Sequence, residues 1–240
     1  FVWTSADPEH ERDFNRWYDR EHVEERVRIP GFVSGTRYQS VRGPRKYLGL
    51  YRTVSLAAFQ TADYFKAFGQ QTPWSLTNLQ RMVDPMRRVC AIEAETGMGT
   101  GAWLAVLRLG APAIGQDAQA VAAMTKLGAT LLQIDGVIAT RLLTPDVNLS
   151  GPLPAEQKEG RVLEWSRKLQ VDRDLERRPT RILRIGVVMQ SPSNPFYEVL
   201  RQAFARANSL YFGASLQTTL YYFDVKTPHV TAAPFRFAGI

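Results

Sequence analysis

The chain has 240 residues, of which 45% are hydrophobic, 11% aromatic and 22% charged, with 30 Lys and Arg against 23 Asp and Glu for a formal net charge of +7. At roughly 150 residues per domain this makes one large domain or two small ones, and the composition excludes a disordered tail or a fibrous repeat. No apolar run approaches the ~18 residues of a membrane span, because Arg108, Asp117, Lys126 and Asp135 interrupt the most hydrophobic stretch.

The opening residues carry Asp7, Glu9 and Glu11 where a secretory leader would carry Lys or Arg, so the cytoplasm is the expected location. Phe1 begins without a methionine in what reads as a strand, the pattern of a fragment. Cys90 is the single cysteine, and His10, His22 and His229 form no metal-spaced pair, so no metal and no cofactor is expected. The excess charge is concentrated late. Residues 1–95 hold 14 basic and 12 acidic groups, 96–160 hold 4 and 5, and 161–240 hold 12 and 6. Basicity alone gives only nonspecific attraction to polyanions, and no reading element accompanies it, so a nucleic-acid partner is not expected.

In chain order, residues 1–4 read as a strand and Glu11 to Arg28 as one helix with Phe14, Trp17, Tyr18 and Val27 on its apolar stripe, stopped by Pro30 and Gly31. Phe32 to Val41 and Lys46 to Val54 form a hairpin about the Arg42, Gly43, Pro44 turn. Ser55 and Thr61 are candidate N-caps around the apolar-patterned stretch Leu56 to Phe68, and Met86 to Glu95 is a strand. The order βαββαβ over residues 1–95 predicts an α+β, ferredoxin-like plait with both helices on one sheet face and the other face needing a cover. After a linker at 96–101 the pattern restarts. Trp103 to Leu109 reads as a strand, Asp117 to Leu132 as a helix, and Ile134, Asp135, Gly136, Val137 echoes Ile29, Pro30, Gly31, Phe32, with the glycines 105 residues apart. This second copy, residues 102–160, is expected to be partial. Residues 161–240 read as a helix over Arg161 to Arg178, then a βαβ unit with an apolar parallel-type strand at Ile182 to Met189, a helix opening at Asn194 and Pro195, and a strand at Leu216 to Asp224.

The run Phe14, Asn15, Arg16, Trp17, Tyr18, Asp19, Arg20, Glu21, His22, with Ile29, Pro30, Gly31, Phe32 and Arg37, Tyr38, resembles the EthD-like branch of the dimeric α/β-barrel superfamily. The resemblance spans residues 1–160. It implies two plaits paired sheet to sheet, in a homodimer or within one chain, around a small-molecule cavity, in a superfamily that includes cofactor-free monooxygenases, isomerases and haem enzymes. From Arg161 the chain resembles the ligand-binding domain of LacI-type regulators and periplasmic sugar-binding proteins, with Arg181 to Val188 as its first strand and Ser193 to Tyr197 as a loop of the sugar cleft. Neither a DNA-recognition helix nor the rest of a two-lobed domain accompanies it. A sugar-responsive regulator fragment, or two partial reading frames joined near Gly160, is therefore the alternative.

The chemistry concentrates on the first helix. Tyr18 and Asp19 lie four and three residues before His22 and can share its face, so Asp19 is expected to orient His22 as a base for a carbon acid. The competing reading is a helix-end histidine with a local carboxylate partner. Trp17 and Tyr18 are candidate ligand contacts, with packing the favoured role for Trp17. Alternation places Tyr47 and Tyr51 on one strand face and Leu48 and Leu50 on the other. With the leucines assigned to the helices, the tyrosines line the open face as cavity walls, joined by Arg37 or Tyr38 according to register. Asn194 and Phe196 are the alternative sugar contacts, with a plain helix start favoured. No GxGxxG, P-loop or GxSxG motif occurs, so nucleotide and acyl-transfer chemistry have no support.

Overall fold

The computed structural model describes residues 1–109, 117–153, 183–189 and 219–231. Asn194, Phe196 and the helix expected over Arg161 to Arg178 lie outside these residues. The first half comprises strand β1 (Val2–Ala6), helices α1 (Glu11–Trp17) and α2 (Val23–Val27) on either side of a π-helical turn (Tyr18–His22), strands β2 (Phe32–Arg42) and β3 (Tyr47–Thr53), helices α3 (Ala62–Gly69) and α4 (Pro73–Gln80), and strand β4 (Met82–Arg87). Its strands pair antiparallel in the order β4-β1-β3-β2, the ferredoxin-like arrangement. Thr61 caps α3 by accepting from the Tyr64 N–H, whereas the Ser55 side chain makes no cap. Helix α4 is absent from the sequence reading although its signals are present: Thr72 accepts from the Ser75 N–H and Pro73 opens the first turn.

Pro85 lies inside a strand, not before one. It is tolerated because, among the described strands, β4 pairs only with β1 and carries a bulge there: Met86 faces Trp3 while Val83 faces Ser5, and Asp84 takes a positive φ of 48°. The chain then continues through Arg88 and Val89 into β5 (Cys90–Gly97). One expected strand is therefore two.

The second half corrects the expectation of a broken-off copy. Strand β6 (Trp103–Leu109), helix α5 (Asp117–Leu131), β7 (Val137–Pro145), β8 (Leu183–Met189) and β9 (Thr219–Thr231) place their strands in the order β9-β6-β8-β7, which repeats the 4-1-3-2 order of the first half. β8 runs antiparallel to β6 and β7, and β9 antiparallel to β6, so the parallel βαβ unit of a sugar-binding lobe is not formed by these strands. An apolar run marks a strand covered on both sides, and a central antiparallel strand meets that condition as well as a parallel one. The sequence echo is a shared helix-to-strand turn. Phe32 N–H donates to the Ile29 carbonyl and Val137 N–H to that of Ile134, while Gly31 and Gly136 adopt φ of 90° and 87°, a conformation that a side chain would strain.

The two sets of strands form one nine-stranded sheet, β4-β1-β3-β2-β9-β6-β8-β7-β5. Its outer members, β4 and β5, are joined by only two residues, so the sheet must curl back on itself into a barrel. The closing strands have equivalent roles. β4 pairs with β1 and its continuation β5 with β7; β9 pairs with β6 over residues 219–224 and with β2 over residues 222–231. Inside, Trp3, Tyr38, Leu48 and Met86 pack with Leu104 and Ala139 of the second half, and the helices cover the outside. Residues 146–153 return to the first half: Ser150 Oγ accepts from the Val89 N–H and donates to its carbonyl, and Leu153 joins the core beneath α1. Among the described residues, no helix is long and apolar enough to cross a membrane.

Candidate functional site

The site is built where α1 and the π turn cross the outer face of β2 and β3. Phe14, Trp17 and Tyr18 bury their rings against Tyr47, with Tyr51 partly buried beside them. Glycine makes the close approach possible. A Cβ at Gly49, between the two strand tyrosines, would stand 2.6 Å from the Tyr18 hydroxyl, and one at Gly35 would stand 2.9 Å from Val23.

Within the helix, the Val23 N–H reaches back to the Tyr18 carbonyl, five residues away. In a regular α-helix, side chains five apart diverge by about 140°. Here the wider turn stacks Trp17 on His22, with ring centroids 4.4 Å apart at 36°, while Tyr18 meets the imidazole edge-on at 4.9 Å and Tyr51 does so at 6.4 Å. Trp17 is held in turn by helix α4. Its indole N–H donates to Ser75 Oγ at 2.9 Å, Ser75 donates to Glu21 Oε1 at 3.0 Å, and Thr72 donates to the same oxygen at 2.6 Å.

His22 is buried, and its Nδ1 has no hydrogen-bond partner. Burial, followed by the positive charges of Arg26 and Arg37, holds the imidazole well below its ordinary pKa of 6.5, so it is neutral at pH 7. Burial also raises the phenols of Tyr18 and Tyr51, and Tyr51 donates a long hydrogen bond of 3.5 Å to the Tyr18 oxygen. A neutral imidazole, two neutral phenols and two guanidiniums thus share one mostly buried locus. It can accept a proton at nitrogen and stabilise negative charge on oxygen. Among the described residues, no group of three or more His, Cys, Asp or Glu is placed to hold a metal ion.

Comparison with known proteins bears on the fold. No protein-family model matches the chain, and no curated protein does. Among solved structures, an anthrone oxidase-like protein superposes with a TM-score of 0.56 at 14% identity, covering 100% of this chain and 94% of that one. A candidate monooxygenase from Lactobacillus acidophilus NCFM superposes with a TM-score of 0.56 at 8% identity, covering 97% and 94%. The chain has the fold of monooxygenase-like α/β proteins. At these identities the likeness speaks for architecture alone.

Within this fold the expected site residues divide. Trp17, Tyr18, His22 and Tyr51 come together as described. The face assignment of Tyr47 and Tyr51 is corrected: both lie beneath α1, and Leu48 faces the barrel interior with Trp3 and Tyr38. Both sheet faces are covered, so hydrophobicity could not choose between them. Tyr38 is consequently separated from the cluster. Its hydroxyl donates to the Gly101 carbonyl at 3.3 Å, and burial pushes its pKa up to about 12. Tyr47 accepts from Asn15 and donates to Glu11, which also pairs with Lys46.

The expected Asp19 to His22 pairing is also corrected. Asp19 Oδ1 accepts from Arg37 Nη1 at 3.0 Å, and Arg37 Nη2 donates to Asn15 at 2.7 Å. The Arg37 guanidinium lies between the Tyr18 and Tyr47 rings, 4.3 Å from each, and is fully buried. A planar cation between two electron-rich faces attracts a carboxylate more strongly than a neutral imidazole can. The ring contacts, not a carboxylate, orient His22. The residue missed by sequence reasoning is Arg26, which is buried on α2 four positions after His22.

Proposed function

We propose that the chain is an EthD-like, cofactor-free enzyme acting on a small carbonyl-containing aromatic molecule, with His22 as the base that removes a proton from a carbon conjugated with the carbonyl. The observation that carries this reading is the buried Nδ1 of a neutral imidazole, without a partner, enclosed by the rings of Trp17, Tyr18 and Tyr51. The C–H proton goes to Nδ1, and the electron pair of that bond moves onto the carbonyl oxygen. Tyr18, whose oxygen accepts from Tyr51, donates its own proton in a hydrogen bond to the developing oxyanion. Burial, and then the nearby positive charges, make His22 a weak base, and the same positive charges stabilise the enolate that the transfer forms. Dioxygen then serves as oxidant, converting CH2 to C=O with release of one water.

Anthrone is the probe chemistry suggested by the solved structure described as anthrone oxidase-like. Aerobic incubation of the full chain with anthrone is expected to form anthraquinone and water. His22→Ala is expected to lose about 10²- to 10⁴-fold in kcat, the range of a positioned general base. Unchanged turnover in a folded His22→Ala protein would remove the assignment.

A further inference from the structure

We propose that Arg26 is an anion-binding residue, the docking point for the charged oxygen of a small organic acid or enolate. This inference rests on the location of the site given above and adds the charge class of its ligand. Arg26 is 8% exposed. Its Nη2 donates to the Ala67 carbonyl at 2.9 Å, while its Nε, also buried, has no partner. Its nearest carboxylate, Glu25, stands at 3.8 Å, beyond hydrogen-bond distance, and is partly exposed. Burial, and then the charge of Glu21, raises the Glu25 carboxyl, while Arg26 pulls it the other way.

A buried guanidinium ordinarily has a carboxylate engaged by two of its N–H groups, because desolvating an uncompensated charge costs several kcal/mol. Arg37, on the same side of the sheet, gives one N–H to the Asp19 carboxylate and another to the Asn15 amide, so that although its Nε is likewise without a partner its charge is met by a hydrogen-bonded carboxylate. Among the described residues, Arg26 has a hydrogen-bonded carbonyl and an ion pair with Glu25 too long for a hydrogen bond. The charges of Arg26 and Arg37 both act on His22, Tyr18 and Tyr51. An anionic oxygen at Arg26 Nε would supply the missing acceptor, about one helical turn along the chain from His22 and its ring contacts.

Benzoate and benzamide, alike in shape and different in charge, make the test. Calorimetric titration of the full chain is expected to show benzoate binding at least about tenfold more tightly than benzamide, the advantage of a charge-assisted hydrogen bond. Arg26→Met is expected to lose that preference, and Arg26→Lys, which keeps the charge without the Nε donor, to lower benzoate affinity several-fold. Circular dichroism checks that each variant is folded. Equal binding of the two probes, no binding of either, or an unaltered preference in folded Arg26→Lys or Arg26→Met protein overturns the proposal. His22→Ala separates this inference from the base assignment: it is expected to keep the benzoate preference while losing turnover, and loss of the preference in folded His22→Ala protein would count against Arg26 as the docking group.

Discussion

A single imidazole illustrates how burial sets chemistry. His22 is neutral in the folded chain because water is excluded and two guanidiniums stand nearby, whereas in the unfolded chain it titrates near 6.5. Below that pH the unfolded state takes up a proton that the folded state refuses. Stability is therefore expected to fall as pH drops from about 6.5 toward 5, by up to ~1.4 kcal/mol per unit for this one group. The depressed carboxylates Asp7, Asp13 and Glu95 add their losses lower, as they approach the pKa values of their unfolded forms. Urea melts at pH 7.5, 6.5 and 5.5 are expected to show a steeper decline for the natural chain than for His22→Asn, and parallel declines would refute this role for burial. The sequence revealed Tyr18 and His22 as neighbours through their four-residue spacing. It did not reveal the competition for Asp19, which depends on where β2 presents Arg37.

At the scale of elements, the decisive feature is how closely the first helix approaches the sheet. Gly49 leaves room for the Tyr18 phenol, and the π turn carries Trp17 round to His22. Gly49→Ala is expected to destabilise the fold by about 1–3 kcal/mol, the usual cost of forcing extra volume into a packed interface. Tyr18→Phe, which removes the oxygen 2.6 Å from the new Cβ, is expected to recover much of that loss. Denaturant melts of the two single variants and the double variant measure the coupling, and strict additivity would show that the contact is not the cause. Some of this was legible in advance. A glycine between two tyrosines on one strand face marks a slot, and Arg26 occupies a position where the stripe from Phe14 through Tyr18 and His22 calls for an apolar residue. A charge in a core position is the signal of a site.

At the scale of the whole molecule, the barrel is closed by strands that change partners midway. Residues 1–97 end in β5, which pairs with β7, and β2 depends on β9 for its second neighbour. Separated from the rest, this portion would expose the edges of both β2 and β5. Because β5 and the latter part of β9 have equivalent places in the two halves, the isolated 1–97 fragment is expected to form a dimer, with β5 of each copy on β2 of the other. Light scattering coupled to size-exclusion chromatography measures the mass, and a stable monomer would refute the equivalence. Arg52 and Arg141 both engage Glu95 and tie the halves of the intact barrel, at contacts too exposed to carry the assembly alone.

Local chemistry, read from sequence, determined the α+β class, the first plait, the glycine turns after the helices and the nearness of Tyr18 to His22, because periodicity, caps and backbone preferences act over a few residues. Tertiary structure alone decided that Tyr47 and Tyr51 turn toward the helix, that Arg37 takes Asp19, and that strands at 183–189 and 219–231 complete a second antiparallel set. These outcomes depend on which surfaces meet across more than a hundred residues of chain. A strand buried on both faces carries no local mark of which neighbour will cover which side.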